Sequence, residues 1–211
     1  MKKAMSKNGI VLALFALVCT AAVSWVALET KDAIAFQQKL AIEKSLQQVL
    51  PKNLYNNDLI QTCVTVHAPD YLGTNTPQHV FIAKNDQTPV GLAIETVAPD
   101  GYNGEIHIML GIDSQLNILG VRTIEHQETP GLGNFIELAL SPWVLSFNGL
   151  DLDQRNLKSW NVKKDGGQFD QFTGATITPR AYVKAVKKTL IYLQNNYQNI
   201  LLSTSACELN L

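Results

Sequence analysis

The first pattern along the chain is an unbroken apolar run near its start. Residues 9–28 carry no charged side chain and read GIVLALFALVCTAAVSWVAL. A helix needs about 20 apolar residues to cross the hydrocarbon core of a bilayer, so the run predicts a transmembrane helix. Lys2, Lys3 and Lys7 precede it, and such positive charge stays on the cytoplasmic side. The pattern therefore predicts a cytoplasmic segment, 1–8, and an exported remainder.

A cleavable signal peptide is the competing interpretation of the same run. Signal peptides have apolar cores of about 7–15 residues followed by a small-residue cleavage site. Thr20 to Ala22 could serve as that site, but the apolar run continues to Leu28. A lipid anchor on Cys19 is less favoured, because Val18 stands where a small residue is expected. The length of the run favours a retained helix.

Beyond the run, the spacing of apolar residues changes from helical to alternating. Residues 29–50 read as a helix that Pro51 ends, since proline disfavours helix in the residue before it. Short alternating segments bounded by turn residues then predict strands. The predicted strands are 62–66, 79–84, 90–97, 105–112 and 116–124. They predict an antiparallel meander with one buried face.

The last periodic segment is helical. Its apolar residues recur every three or four positions, which is typical of an amphipathic helix. These residues are Val183, Val186, Leu190, Leu193 and Tyr197. The predicted fold class is α+β, with one domain of antiparallel sheet and flanking helices on a single N-terminal transmembrane helix. The predicted segments are 1–8 (cytoplasmic), 9–28 (membrane helix), 29–77 (helical stalk and lead-in), 78–202 (folded domain) and 203–211 (tail).

Composition and residue spacing exclude several functions. The formal net charge of −1 argues against a nucleic-acid surface, which needs a clustered basic excess. No cysteine or histidine cluster has metal-ligand spacing, so we expect no metal site; His67, His79 and His107 are expected at surface or sheet-edge positions. Cys63 and Cys207 lie in the exported part, where they can pair only if the fold brings them together. That pairing stays open.

The segment DQFTGATITPR, 170–180, has two interpretations. As local structure, Thr178 is a helix N-cap followed by Pro179 at the first helical position. As a functional segment, the same helix start is an anion site, because free N–H groups and the positive end of the helix dipole converge there. Arg180 and Lys184 are close in sequence and would add positive charge. Trp143 and Trp160 are expected in the core or a pocket wall.

The first seven of these residues resemble the flavinylation motif Asp-x-x-(Ser/Thr)-Gly-Ala-Thr of FMN-binding domains. In that family, a flavin transferase moves FMN from FAD onto the last threonine as a phosphoester. The resemblance implies that Thr176 carries covalent FMN. The other matched cofactor-binding positions are Asp170, Thr173, Gly174 and Ala175.

A second segment, HQETPGLG at 126–133, resembles the ETPGLG signature of the same domains. The resemblance implies cofactor contacts in which two glycines let backbone N–H groups reach the polar edge of the flavin ring. The implied contacts are Glu128, Thr129, Gly131, Leu132 and Gly133. The competing interpretation is an ordinary Pro-Gly turn. The resemblance also implies a flavin contact at Lys164, although Lys163 and Lys164 would equally suit a solvated turn.

The chain as a whole is similar to the family of G subunits of Rnf/Rsx ion-translocating electron transport complexes, which are related to the C subunits of sodium-pumping NADH–quinone reductases. The resemblance includes residues 101–104 and covers almost the entire chain. It implies a redox-carrier protein of the bacterial inner membrane, with a periplasmic FMN domain at 78–202. The complex would couple electron transfer between ferredoxin and NAD to ion movement. Implied partners are other subunits and a periplasmic flavin transferase.

Two further functions stay open from the sequence. One is an exported sensor or binding module that uses the FMN pocket without redox turnover. The other is a stand-alone periplasmic flavin reductase, for which a chain of 211 residues leaves little room for a substrate site. No general base, nucleophilic triad or GxGxxG fingerprint is visible, so no catalytic residue is predicted.

Overall fold

The computed structural model describes residues 2–153, 155–203 and 207. The helices and strands are α1 (Lys2–Val49), β1 (Cys63–Val66), α2 (Pro69–Leu72), β2 (Gln78–Asn85), β3 (Thr88–Ala98), β4 (Ile106–Asp113), β5 (Ile118–Glu125) and α3 (Ile177–Leu201). Short 3-10 helices, at Gly133–Ile136, Pro142–Phe147 and Lys163–Asp165, connect β5 to α3. Residues up to Ala41 form one compact unit, and residues from Ile42 onward form another. The predicted tail, 203–211, lies outside the described residues except for Ser203 and Cys207.

The first unit is helical and apolar. Of the residues described, one segment is long and apolar enough to span a membrane: Asn8–Lys31, with a mean hydropathy of 2.5 and none of it buried. Its large side chains, such as Phe15 and Trp25, are about 70% exposed. Exposed apolar surface of this extent marks an interaction with another protein or a membrane. The segment fits a single-pass anchor. The predicted helices 9–28 and 29–50 belong to one element, α1.

The second unit is built on an antiparallel sheet. Within the described ranges the sheet has five strands in the order β1-β2-β3-β4-β5, and each strand pairs antiparallel with the next. The order confirms the predicted meander, because consecutive strands joined by short turns are neighbours in the sheet.

The prediction that one sheet face is buried is wrong, because both faces are covered. On one face, alternate residues of β4 such as Ile108 and Leu110 pack in the core cluster that contains the buried side of α3. On the other face, Met109 of β4 packs with Leu46 and Val49 from the last turns of α1. The residues that alternate along β4 therefore do not divide into core and solvent positions. They belong to two different hydrophobic cores, one on each face of the sheet.

Glycines in the sheet make room for the end of α1. Gly111 of β4 and Gly120 of β5 lie opposite each other in the ladder. A Cβ atom at Gly111 would stand 2.3 Å from the carbonyl oxygen of Val49, and one at Gly120 would stand 3.0 Å from the Val49 Cα. Real Cβ atoms essentially never approach backbone as closely as 2.3 Å, so only glycine admits the helix end at Gly111. At Gly120 a Cβ atom would require the helix end to shift slightly.

Helix α3 and a disulfide complete the second unit. The five apolar residues predicted to define the amphipathic helix are all at most 9% exposed, which confirms its buried face. Cys63 and Cys207 form a disulfide with a Cα–Cα distance of 5.5 Å. That spacing is the usual one for a disulfide. The Cys207 amide also donates a hydrogen bond of 3.2 Å to the Cys63 carbonyl. The pairing left open by the sequence is thus present.

Candidate functional site

The helix start predicted as an anion site is at the N-terminus of α3. Thr176 is the residue before the first helical turn, and Gly174 turns the chain into it with φ at +80°. In the part of the chain described, the amides of Thr176, Ile177 and Thr178 have no hydrogen-bond acceptor. Three unpaired amides at the positive end of a helix dipole suit a phosphate group.

Thr178 is not the helix cap that its sequence context predicted. The helix begins at Ile177, and Thr178 lies inside the first turn, fully buried. Its hydroxyl donates a hydrogen bond of 2.5 Å to Glu128 Oε2. Thr176 occupies the cap position, but its side chain forms no capping hydrogen bond. The Thr-Pro pair signalled a helix start correctly, while the partner of Thr178 is a distant residue.

Glu128 fixes the ETPGLG segment in place. Its side chain is 5% exposed, and its other oxygen accepts a hydrogen bond of 3.3 Å from the Asn103 amide. Gly133 lies directly against it, since a Cβ there would stand 2.5 Å from Glu128 Oε2 and 2.8 Å from Thr178 Oγ1. The buried carboxylate therefore joins the loop before β4, the segment after β5 and the start of α3.

The backbone of the ETPGLG segment forms a turn. The amides of Leu132 and Gly133 donate to the Thr129 carbonyl, each at 3.1 Å. The Gly131 amide donates to Asn134 Oδ1 at 2.8 Å. Both glycine N–H groups that were expected to reach a flavin ring thus have partners within the turn. If these glycines contact the flavin, they do so by leaving space for the ring and not by donating hydrogen bonds.

A pocket of about 240 Å³ lies between the two motifs. The predicted site residues that line it are Glu128, Thr129, Leu132, Gly133, Gly174, Ala175 and Thr176. Asp170, Thr173, Gly131 and Lys164 are outside this lining. Tyr102, Ile177 and Thr178 line the pocket without having been predicted as contacts. The only sequence signal for Tyr102 was its place in the 101–104 segment of the resemblance.

The charged residues around the helix start are paired. Arg180 forms a bidentate pair with Asp165, at 2.6 and 2.9 Å, and the hydrogen bond from Arg180 holds the pKa of Asp165 below its usual value. Lys184 contacts Asp100 at 2.5 Å. The positive charge expected from Arg180 and Lys184 is thus partly balanced, whereas the amides at the helix start have no acceptor among the described residues.

The loop that leads to Thr176 is held by aromatic residues. The indole N–H of Trp143 donates to the Asp170 carbonyl at 2.8 Å, and Phe172 packs edge-on against Trp143 with ring centroids 5.2 Å apart. Trp143 and Trp160 are buried, as predicted. The Asp170 carboxylate forms an ion pair of 2.6 Å with Lys163. Lys164 is exposed, and its amide donates to Gln171 Oε1 at 3.3 Å.

Within the ranges that the structure describes, no group of three or more His, Cys, Asp or Glu side chains could hold a metal ion. His79 instead contacts Glu95 on the neighbouring strand at 2.7 Å. His67 contacts the Asn75 carbonyl at 3.1 Å.

Comparisons with known proteins give matches along almost the entire chain. The model of the FMN-binding domain family matches residues 101–191, and that of the RnfG N-terminal region matches 1–49. The chain is 55% identical over 196 residues to the G subunit of the ion-translocating oxidoreductase complex of Shewanella amazonensis, covering 93% of this chain and 91% of that protein. The corresponding G subunit of Shewanella piezotolerans is 49% identical over 210 residues, covering 100% and 99%. That of Vibrio cholerae is 48% identical over 208 residues, covering 99% of each chain.

The second unit therefore contains an FMN-binding domain, with the pocket between its two motifs. The chain belongs to the family of G subunits of ion-translocating oxidoreductase complexes.

Proposed function

We propose that this protein is a membrane-anchored flavoprotein that carries FMN as a phosphoester on Thr176 and relays electrons within an ion-translocating oxidoreductase complex. One observation carries the proposal. The half-buried Thr176 side chain lines the pocket, and its hydroxyl has no hydrogen-bond partner among the residues that the structure describes. It is free to form a covalent bond. Thr173, three residues earlier, is exposed and does not line the pocket.

The proposed attachment uses FAD and a separate flavin transferase. The Thr176 oxygen bonds to the phosphorus of the FMN half of FAD, the pyrophosphate bond breaks, and AMP leaves. The hydroxyl proton passes to the transferase or to solvent. Glu128 does not accept that proton in our proposal, because its carboxylate already accepts hydrogen bonds from Thr178 and Asn103.

The residues of the pocket suit the attached phosphate. The phosphodiester retains one negative charge, which the three free amides at the start of α3 and the helix dipole stabilise. Gly174 has a φ of +80°, which side-chain-bearing residues rarely adopt, and a Cβ atom there would stand 3.3 Å from Leu132 Cδ2. Glu128 lines the pocket as well and is fixed to the start of α3 by the hydrogen bond from Thr178. Lys164 stays a proposed flavin contact, which would require its exposed side chain to turn toward the ring.

When bound, FMN supplies the electron-transfer chemistry, and the protein supplies position and surroundings. A covalent link keeps the cofactor at high local concentration and prevents its loss to solvent. The relatives named above are subunits of ion-translocating oxidoreductase complexes, which favours a relay within a complex over a sensor or a stand-alone reductase. We propose ferredoxin and NAD as the redox partners of the whole complex.

The proposed topology places the FMN domain, 78–202, in the periplasm and residues 1–8 in the cytoplasm, with the anchor at 9–28 in the inner membrane. The lysines before the anchor support this orientation. The disulfide between Cys63 and Cys207 also supports it, because disulfides persist in oxidising compartments such as the periplasm.

Peptide mass mapping of the membrane-purified protein tests the proposal. A host with the transferase should yield a peptide containing Thr176 that is heavier by esterified FMN, and acid-denatured protein should keep flavin fluorescence. A host without the transferase should yield unmodified, colourless protein. Unmodified Thr176 in protein from the competent host would contradict covalent attachment.

A further inference from the structure

Tyr102 is a large aromatic residue whose side chain is exposed to solvent. It lies in the loop between β3 and β4, and its side chain is 65% exposed. It nevertheless lines the same pocket as Thr176. Within the described chain, its ring and hydroxyl have neither a ring contact nor a hydrogen bond.

The loop that carries Tyr102 is fixed. The neighbouring Asn103 donates its amide to Glu128 Oε1 at 3.3 Å, and its side chain donates to the Gln127 carbonyl at 2.6 Å. Gly101 packs so closely that a Cβ there would stand 2.7 Å from Glu128 Oε1. Since Glu128 also accepts the hydrogen bond from Thr178, one buried carboxylate sets the position of the Tyr102 loop relative to the start of α3.

The pocket is too small to enclose a whole flavin nucleotide. Its volume is about 240 Å³, whereas sites that enclose drug-sized ligands measure about 300–1,000 Å³. A flavin joined through its phosphate at Thr176 must therefore extend to the mouth. There Leu132 and Ile177 are 41% and 45% exposed and line the pocket with Tyr102. Clustered exposed apolar side chains mark a binding surface.

We propose that Tyr102 stacks on the isoalloxazine ring of this flavin and lowers its midpoint potential. The proposal rests on the attachment of FMN to Thr176 described above. Aromatic rings prefer offset stacking, and their faces carry negative charge density. Such a face disfavours the extra electron density of the reduced flavin, so an open tyrosine face makes reduction harder.

The test compares full-length wild type with Tyr102→Leu and Tyr102→Phe, produced with the flavin transferase. Tyr71→Leu is the matched control, since Tyr71 is also a partly exposed tyrosine, in α2, and packs against Tyr192 away from the pocket. The measurements are FMN content by intact mass, flavin emission per FMN, the absorbance spectrum and the midpoint potential. Tyr102→Leu should load FMN fully, emit more strongly, shift the absorbance bands and have a more positive potential. Tyr102→Phe keeps an aromatic ring and should have the absorbance spectrum of wild type. Tyr71→Leu should match wild type in every measurement.

Wild-type emission, absorbance and potential in fully loaded Tyr102→Leu would overturn the stacking contact and leave the attachment to Thr176 intact. Absence of FMN from the wild type would overturn the attachment, and the stacking contact with it. If Tyr102→Leu folds but loads poorly, full loading of Tyr102→Phe supports the ring contact, and poor loading of both overturns it.

Discussion

The hydroxyl of Thr178 donates a 2.5 Å hydrogen bond to the carboxylate of Glu128, a residue 50 positions earlier in the chain. Both side chains are buried, at 0% and 5% exposure. The bond ties the start of α3 to the ETPGLG turn, so the two segments that resemble FMN-binding motifs form one piece of structure. A substitution at either residue should therefore affect the structure around the other.

Removing the hydroxyl of Thr178 should destabilise the domain. Thr178→Val keeps the shape of the side chain but leaves the buried carboxylate with one donor fewer. Hydrogen bonds to charged groups contribute about 1.5–3 kcal/mol, and we expect a loss of unfolding free energy in that range, measured by denaturant titration. Thr178→Ser keeps a hydroxyl and should lose less. Equal stability of the valine variant and wild type would show that Glu128 finds another donor.

The covalent handle can be separated from its neighbours by substitution. Thr176→Ala should lose all covalently attached FMN, because no oxygen remains to form the ester, and electron flow through the complex should stop. Thr176→Ser restores an oxygen at the same position and should regain attachment. In-gel flavin fluorescence after acid denaturation is the measurement. Thr178→Val should stay fluorescent, and fluorescent Thr176→Ala would place the ester elsewhere.

Two glycines offer a matched pair for testing the ETPGLG turn. Gly131 and Gly149 have φ values of +78° and +75°, and a Cβ at either would meet nothing within 4 Å. Valine at each should therefore have a similar backbone cost, about 1–2 kcal/mol. We expect only Gly131→Val to change the flavin absorbance, because Gly131 directly precedes Leu132 of the pocket lining, while covalent FMN is retained in both. An unchanged absorbance spectrum in Gly131→Val would favour the competing interpretation, that this segment is an ordinary Pro-Gly turn.

The pair of His79 and Glu95 should make stability depend on pH. The hydrogen bond to Glu95, assisted by the charge of that carboxylate and opposed by burial, raises the pKa of His79 above 6.5. The stabilisation is therefore fully present below the unfolded-state pKa of about 6.5 and is lost as the pH rises through the higher folded-state pKa.

Melting temperatures at about pH 6 and about pH 8 measure this effect. His79→Gln should flatten the fall in melting temperature between the two values. His107→Gln is the control, because His107 is more exposed and lies 3.8 Å from Glu105. An identical fall in His79→Gln and wild type would assign the pH dependence to other groups.

The proposed orientation in the membrane predicts the outcome of reporter fusions. A reporter joined after residue 211 should be active as a periplasmic enzyme and inactive as a cytoplasmic one. N-terminal sequencing of the mature protein should find the anchor retained. A mature chain that begins near Ala22 would show that the apolar run is a cleaved signal peptide.

Local pattern was sufficient for the five strands and for α3, whereas α2 and the short 3-10 helices were not predicted. Alternation predicted the five-stranded meander, and the three- or four-residue spacing predicted α3, because both depend on neighbours along the chain. The second core was not predictable in the same way. Met109 and Gly111 looked like the outer side of β4, and only the close approach of Val49 explains why a glycine is needed there.

The site was predicted through resemblance more than through local physics. Thr176 and four signature residues, Glu128, Thr129, Leu132 and Gly133, line one pocket, whereas Pro130 and Gly131 do not. Local pattern assigned Thr178 to a cap, since Thr-Pro is a common helix start, and no local signal could reveal a partner as distant as Glu128. Tyr102 was not predicted as a site residue, because a tyrosine in a glycine-flanked loop gives no functional signal until the pocket beside it is known.

The disulfide between Cys63 and Cys207 closes a ring that spans 144 positions of the sequence. Nearly all of the sheet, both motifs and α3 lie inside that ring. A protease that cuts the backbone once anywhere within it leaves the two pieces joined until the disulfide is reduced. The residue proposed to bear the flavin therefore stays covalently connected to the apolar N-terminal helix even in a nicked chain.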